Sequence, residues 1–141
     1  MTRTRKNPNV ETMTAIVIEP EKKPRIVQAE KGLDALQRYV GGMIDVTYPF
    51  NDSVGIVCND DGIGALNRAL RYDGELRNRG EIYGIIRGKF LIVGLTEESF
   101  GDLTEEQQRR YMARFHRPEC FFNIGGKLYA FEGTSRFISN L

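Results

Sequence analysis

Apolar positions fall into short runs of two distinct periods, and those periods divide the chain into strands and helices. Thr14 to Ile18, TAIVI, is β-branched and nearly continuous, which predicts a strand buried on both faces and central in a sheet. PEKKP then turns the chain, and Arg25 to Ala29 returns as the second strand of a hairpin. From Gly32 to Val40, Leu33, Leu36 and Val40 are spaced by three and four, predicting a short amphipathic helix closed by Gly41 and Gly42. Beyond it Ile44, Val46 and Tyr48 alternate with Met43, Asp45 and Thr47. Val54, Ile56 and Cys58 likewise alternate with Gly55, Val57 and Asn59, so two half-buried strands are joined by the PFNDS turn.

Between Asn59 and Gly80 the pattern lapses into glycines, acids and arginines, the composition of a long functional or disordered connection. Its ALNRAL core reads as one or two helical turns that bury Leu66 and Leu70 and turn Arg68 and Arg71 outward. IYGII and KFLIV follow, separated by Arg87 and Gly88 in the manner of a tight hairpin turn, the first run being open between strand and helical turn. Thr104 with Gln107 forms a capping box before a helix that runs to Phe115 and places Gln108, Tyr111, Met112 and Phe115 on one face. ECFFNI-GG-KLYAFE reads as a hairpin turned by Gly125 and Gly126, and the segment after Gly133 carries no assignable pattern. The expected fold class is α+β, a mainly antiparallel sheet with two principal helices, 32–40 and 104–115, packed on one face. The expected organisation is a disordered basic arm over 1–12, where Arg3, Arg5 and Lys6 have almost no apolar company, followed by a single domain over 13–141.

Composition narrows the classes of function. A chain of 141 residues is one domain by length and can bury a sizeable core. Its 20 basic and 19 acidic residues leave a formal charge of +1, which argues against a broad phosphate-gripping face, so nucleic acid is a disfavoured partner. A weaker alternative keeps nucleic acid through the N-terminal arm and the arginines of the 104–115 helix. Cys58 and Cys120 lie in apolar runs and read as reduced, buried thiols. With no apolar run of membrane-spanning length and no secretory core, the expected location is cytoplasmic and no membrane partner is expected.

Candidate chemistry is sparse. His116 with Cys58 or Cys120 is arithmetically a nucleophile pair, but Arg117 stands beside the histidine, and no catalytic residue is assigned. One histidine and two isolated cysteines offer no metal-ligand spacing, so neither metal nor cofactor is expected. Asp45, Asp52, Asp60 and Asp61 lie near the central strands, where surface turn residues are the plain reading. The residues singled out for ligand or partner binding are Asn59, Asp60, Asp61, Asn67, Arg68 and Arg71, joined by Asn51 and Asp52 of the preceding turn. The competing reading makes Asn67 a backbone cap and pairs the arginines with Asp60, Asp61 or Asp73.

VGGMIDVTYPFNDSVGIVCNDDG, LNRAL and GEIYGIIRGKFLIVGL together resemble the family called domain of unknown function 3846, over roughly Met13 to Leu95. The chain departs from the family pattern at ELRNRG, Glu75 to Gly80, in its basic arm and in its C-terminal segment. The resemblance implies a protein of phages, plasmids and conjugative elements with no established activity. The function expected is therefore an accessory protein that acts by binding, inhibiting a host defence factor or sequestering a nucleotide-like signal. Its partner would be a host protein or a small anionic ligand, and a homo-oligomer is compatible with this. The alternative is a small enzyme acting on a nucleotide or peptide with Asp60, Asp61, Asn67 and Arg68 as its polar set.

Overall fold

The computed structural model describes residues 10–72 and 80–134. In chain order its elements are β1 (Thr12–Ile18), β2 (Arg25–Glu30), α1 (Leu33–Val40), β3 (Ile44–Thr47), β4 (Val54–Asn59) and β5 (Leu66–Arg71). There follow β6 (Ile82–Arg87), β7 (Phe90–Leu95), β8 (Phe100–Gly101), α2 (Glu105–Arg114), β9 (Glu119–Ile124) and β10 (Lys127–Glu132). The main sheet runs β2-β1-β7-β4-β3 with β8 beside β7, and two separate ribbons pair β5 with β6 and β9 with β10. Every pairing is antiparallel, so the α+β class read from the sequence holds. β1 starts at Thr12, inside the span read as an arm, and the rest of that arm up to residue 9 lies outside the described residues.

The two helices do not share a face. Ala15 and Val17 of β1 and Leu91 and Val93 of β7 pack with Leu36 and Val40 of α1. Their neighbours Ile16, Ile18, Phe90 and Ile92 pack instead with Tyr111 of α2 and with Phe115. Successive side chains of a strand point to opposite faces, so α1 covers one side of the sheet and α2 the other. The continuous apolar runs TAIVI and FLIV required this, because a strand apolar on both sides needs cover on both. The β5–β6 ribbon completes the α2 layer through Leu70 and Ile86. β1 has a strand on each side, but β7 holds the middle of the sheet.

Local signals set the helix ends. Gly41 takes φ 78° at the end of α1 and donates its N–H to the Gln37 carbonyl at 2.8 Å. Thr104 and Gln107 exchange both bonds of the capping box at the start of α2.

Two expectations of local structure are overturned. ALNRAL forms strand β5 rather than helical turns, paired with β6 through a register shift between Leu66 and Arg68. IYGII and KFLIV do not pair with each other: β6 belongs to the ribbon, and β7 crosses into the main sheet between β1 and β4. Arg87 and Gly88 therefore carry the chain from one layer to the next. Gly88, at φ 70°, donates to the Ala65 carbonyl, and Gly64 lies so near that a Cβ there would sit 2.9 Å from the Gly88 Cα.

Candidate functional site

The extra residue of the β5 irregularity is Asn67, and it lets two consecutive polar side chains turn inward. Asn67 is fully buried and donates its Nδ2 to the carbonyls of Ile18 and Gly88 at 3.0 and 2.7 Å. Arg68, expected to point outward, is also fully buried. Its Nη1 donates to Asn67 Oδ1 at 2.9 Å, and its Nη2 donates to the carbonyls of Lys22 and Phe115 at 2.7 and 3.1 Å. The Phe115 carbonyl lies at the C-terminal end of α2, where the helix dipole is negative and favours a cation. Burial pulls the Arg68 pKa down and the nearby Glu119 charge opposes that shift, while Nε has no hydrogen-bond partner. Arg71 grips Glu119 with both terminal nitrogens, at 3.2 and 2.7 Å, and the same carboxylate accepts the Ala69 N–H at 3.4 Å. These residues bolt the β5–β6 ribbon to the β1–β2 turn, to α2 and to β9.

Asp52 forms a second knot. Its carboxylate accepts from Ser53 N–H and Gln107 Nε2 on one oxygen, and from Arg110 Nη1 at 2.6 Å and the Tyr111 hydroxyl at 2.7 Å on the other. The Tyr111 hydrogen bond leads in holding the Asp52 pKa below the ordinary carboxylate range, and burial opposes it. The Tyr111 phenol is pushed up to about 12, first by burial and then by the Asp52 hydrogen bond. Phe50 packs tilted against Tyr111 at 4.8 Å between ring centres, and Arg114 lies over Phe50 at 4.8 Å. The PFNDS turn thus seats α2 on the sheet, while Asn51 stays exposed.

At the other end of β4, the buried Asn59 donates to the Val40 carbonyl at 3.1 Å and accepts the Asp61 N–H at 2.8 Å, pinning the end of α1. Asp60 and Asp61 are exposed. The strand length separates this turn from Asp52 by roughly 17 Å at ~3.3 Å per residue. The eight residues singled out from the sequence therefore occupy three places: a turn beside α1, a buried knot under α2, and the turn that seats α2. Cys58 donates to the Asp45 carbonyl, Cys120 donates to the Gly133 carbonyl, and His116 is exposed, so no cysteine–histidine pair is drawn together by these bonds. Both thiols are free and both pKa values are raised by burial, although Cys58 is only half-buried. Among the described residues no three His, Cys, Asp or Glu side chains gather to hold a metal. Among them, too, no helix is long and apolar enough to cross a membrane.

Elsewhere the two ribbons leave a groove of about 1140 Å³ between them, bordered by residues 80–85, Arg87 and 127–130 with Leu66 and Arg71. Its apolar border is Leu66, Ile82, Tyr83, Ile85, Leu128, Tyr129 and Ala130, and its charged groups are Arg71, Arg87, Lys127 and Glu81. Tyr83, Leu128 and Tyr129 are exposed by 37–44% despite their size. Tyr72 packs tilted against Tyr83 at 4.8 Å between ring centres, and Lys127 lies over Tyr129 at 5.4 Å. Sequence reading missed this groove because it joins residues about 45 positions apart and needs the β5–β6 ribbon, whose strands were read as helical turns and as a run set against β7. The aromatic side chains flanking the Gly125–Gly126 turn were the available signal.

Fold and site together define a small α+β domain whose conspicuous polar residues hold its layers together and whose open surface lies between two β-ribbons. The chain belongs to the family described as Domain of unknown function (DUF3846), whose model matches residues 13–116. The match ends just beyond α2, so the β9–β10 ribbon lies outside it. No curated protein and no solved structure matches the chain.

Proposed function

We propose that this protein acts by binding, with the groove between the β5–β6 and β9–β10 ribbons as its recognition surface for a partner protein. One observation carries the reading: large apolar side chains and cations border one open groove, and those side chains belong to neither of the two buried cores. Exposed aromatic and aliphatic clusters rimmed by charge are the composition of interaction surfaces. Its volume of about 1140 Å³ and its openness to solvent suit a segment of a protein better than an enclosed small ligand. Catalysis would need converging groups, whereas Asn67 and Arg68 are buried and bonded internally and Asp60 and Asp61 are exposed in the turn beside α1. The setting implied by the family resemblance is an accessory role in a phage or mobile element, with a host defence factor as the natural partner and the cytoplasm as its location.

The test is co-purification from the native host with the full chain and with a Leu128→Asp, Tyr129→Asp double variant. Both side chains are exposed, so folding should persist, which circular dichroism would check. The expected result is a stoichiometric protein that the variant loses. Retention of that protein by a folded variant would remove the groove from the reading.

A further inference from the structure

The mode of recognition follows from the edges of the ribbons, and it rests on the reading that the groove receives a partner. Among the described residues β6 pairs with β5 and β10 with β9, and no second strand is paired with β6 or β10. Residues 80–85 and 127–130 border the groove in unbroken runs, so main chain as well as side chains faces it. An unpaired strand edge is a template for another strand. Of the two, β6 lies in a ribbon with register shifts, which blunt an edge, whereas β10 keeps an unbroken register of six pairs with β9. Its interior, Leu128 to Phe131, has no charge and no proline to guard it. The ribbon is also thinly supported, since Ile124, Leu128, Tyr129 and Phe131 are all exposed, and a lone two-stranded ribbon is marginal in water.

Charge narrows the occupant. Three cations border the groove against the one acid Glu81, and Glu119 already answers Arg71. Arg87 and Lys127 are exposed, the first donating to the Gly64 carbonyl at 3.2 Å and the second resting on Tyr129. We infer that the groove takes an extended segment of a partner protein, added as a strand along β10, with aliphatic side chains against Leu66, Ile82 and Ile85 and carboxylates against Arg87 and Lys127. Main-chain bonding supplies affinity in such an arrangement, and side chains at alternate positions supply selectivity.

The experiment is selection of displayed random dodecapeptides on the immobilised full chain. Affinities of the selected synthetic peptides are then measured against wild type and an Arg87→Glu, Lys127→Glu double variant, with amide hydrogen exchange in parallel. The inference expects acidic, aliphatic sequences that bind the double variant about tenfold or more weakly and slow exchange at amides 127–131. Peptides that protect groove residues yet are basic, or bind both proteins equally, or leave 127–131 exchanging freely, overturn the inference and leave the groove reading standing. Failure to select any sequence, or protection confined to residues away from the groove, overturns both. Concentration-dependent protection of 127–131 without peptide assigns the edge to a second copy and overturns the inference.

Discussion

At the scale of single residues, the buried arginine inverts the prediction drawn from its sequence position. An outward Arg68 would contribute to binding and little to folding, whereas the buried one donates to three oxygens, those of Asn67, Lys22 and Phe115. Arg68→Ala should therefore destabilise the fold by about 3 kcal/mol or more, the sum of lost charged hydrogen bonds and a cavity, measured by chemical denaturation. Arg68→Met, which restores bulk without donors, should recover only part of that loss. A variant that melts like wild type would show the knot to be dispensable. Asp52 and Tyr111 give a pH signature with opposite limbs. The lowered folded pKa of Asp52 adds stability that is complete above the ordinary carboxylate range and is lost as pH falls through the depressed value. The raised pKa of Tyr111 adds stability that is complete below its ordinary value near 10 and is lost as pH rises from there to about 12. Tyr111→Phe should remove the alkaline limb and raise the pKa of Asp52, which carboxylate titration by nuclear magnetic resonance would follow.

At the scale of elements, what could be read in advance was whatever a local period or cap determines. α1, α2 with its capping box, the β1–β2 and β3–β4 hairpins and the Gly125–Gly126 turn all depend on neighbours in sequence, and all were legible. β5 was not, because the extra Asn67 breaks its alternation and leaves Leu66 and Leu70 at the spacing of a helix. The parting of β6 from β7 was hidden for a related reason: a two-residue break looks the same whether the chain doubles back or changes layer. Nor does a strand announce who crosses it. The loop after β8 passes over Gly94 so closely that a Cβ there would overlap the Asp102 carbonyl, while Asp102 and Leu103 bond to Thr14 of β1. Gly94→Ala should thus lower stability by about 1–3 kcal/mol through overpacking. Gly84→Ala, where the new methyl meets only Leu70 Cδ1 at 4.0 Å, should be nearly neutral in the same denaturation assay. Equal losses in the two variants would show that β-propensity rather than the crossing sets the requirement for glycine.

At the scale of the whole molecule, the chain is a layered body with an appendage. The α1 layer, the main sheet and the α2 layer share two continuous cores, whereas the outer half of the β9–β10 ribbon is exposed and is tied down near one end by Arg71–Glu119 and the Arg117–Glu132 pair. The site was the least legible feature because it depends on how that appendage sits beside β6, a matter of tertiary placement that no window of sequence encodes. Parts of a protein with few buried apolar contacts open at lower free energy than its core. Glu119 is the buried member of the tie, at 7% exposed, and it holds both Arg71 nitrogens together with the Ala69 N–H. Glu119→Gln keeps the shape and some of the hydrogen bonding but leaves the buried Arg68 guanidinium without its nearby counter-charge and Arg71 with Glu132 alone. The expected outcome by native-state hydrogen exchange is faster opening of amides 119–132 and of β5, with the amides of β1, β4 and β7 hardly changed. Uniform acceleration across all three layers would instead make the ribbon part of the cooperative core, and a groove bordered by it would then be a rigid cleft rather than one whose wall can settle onto an added strand.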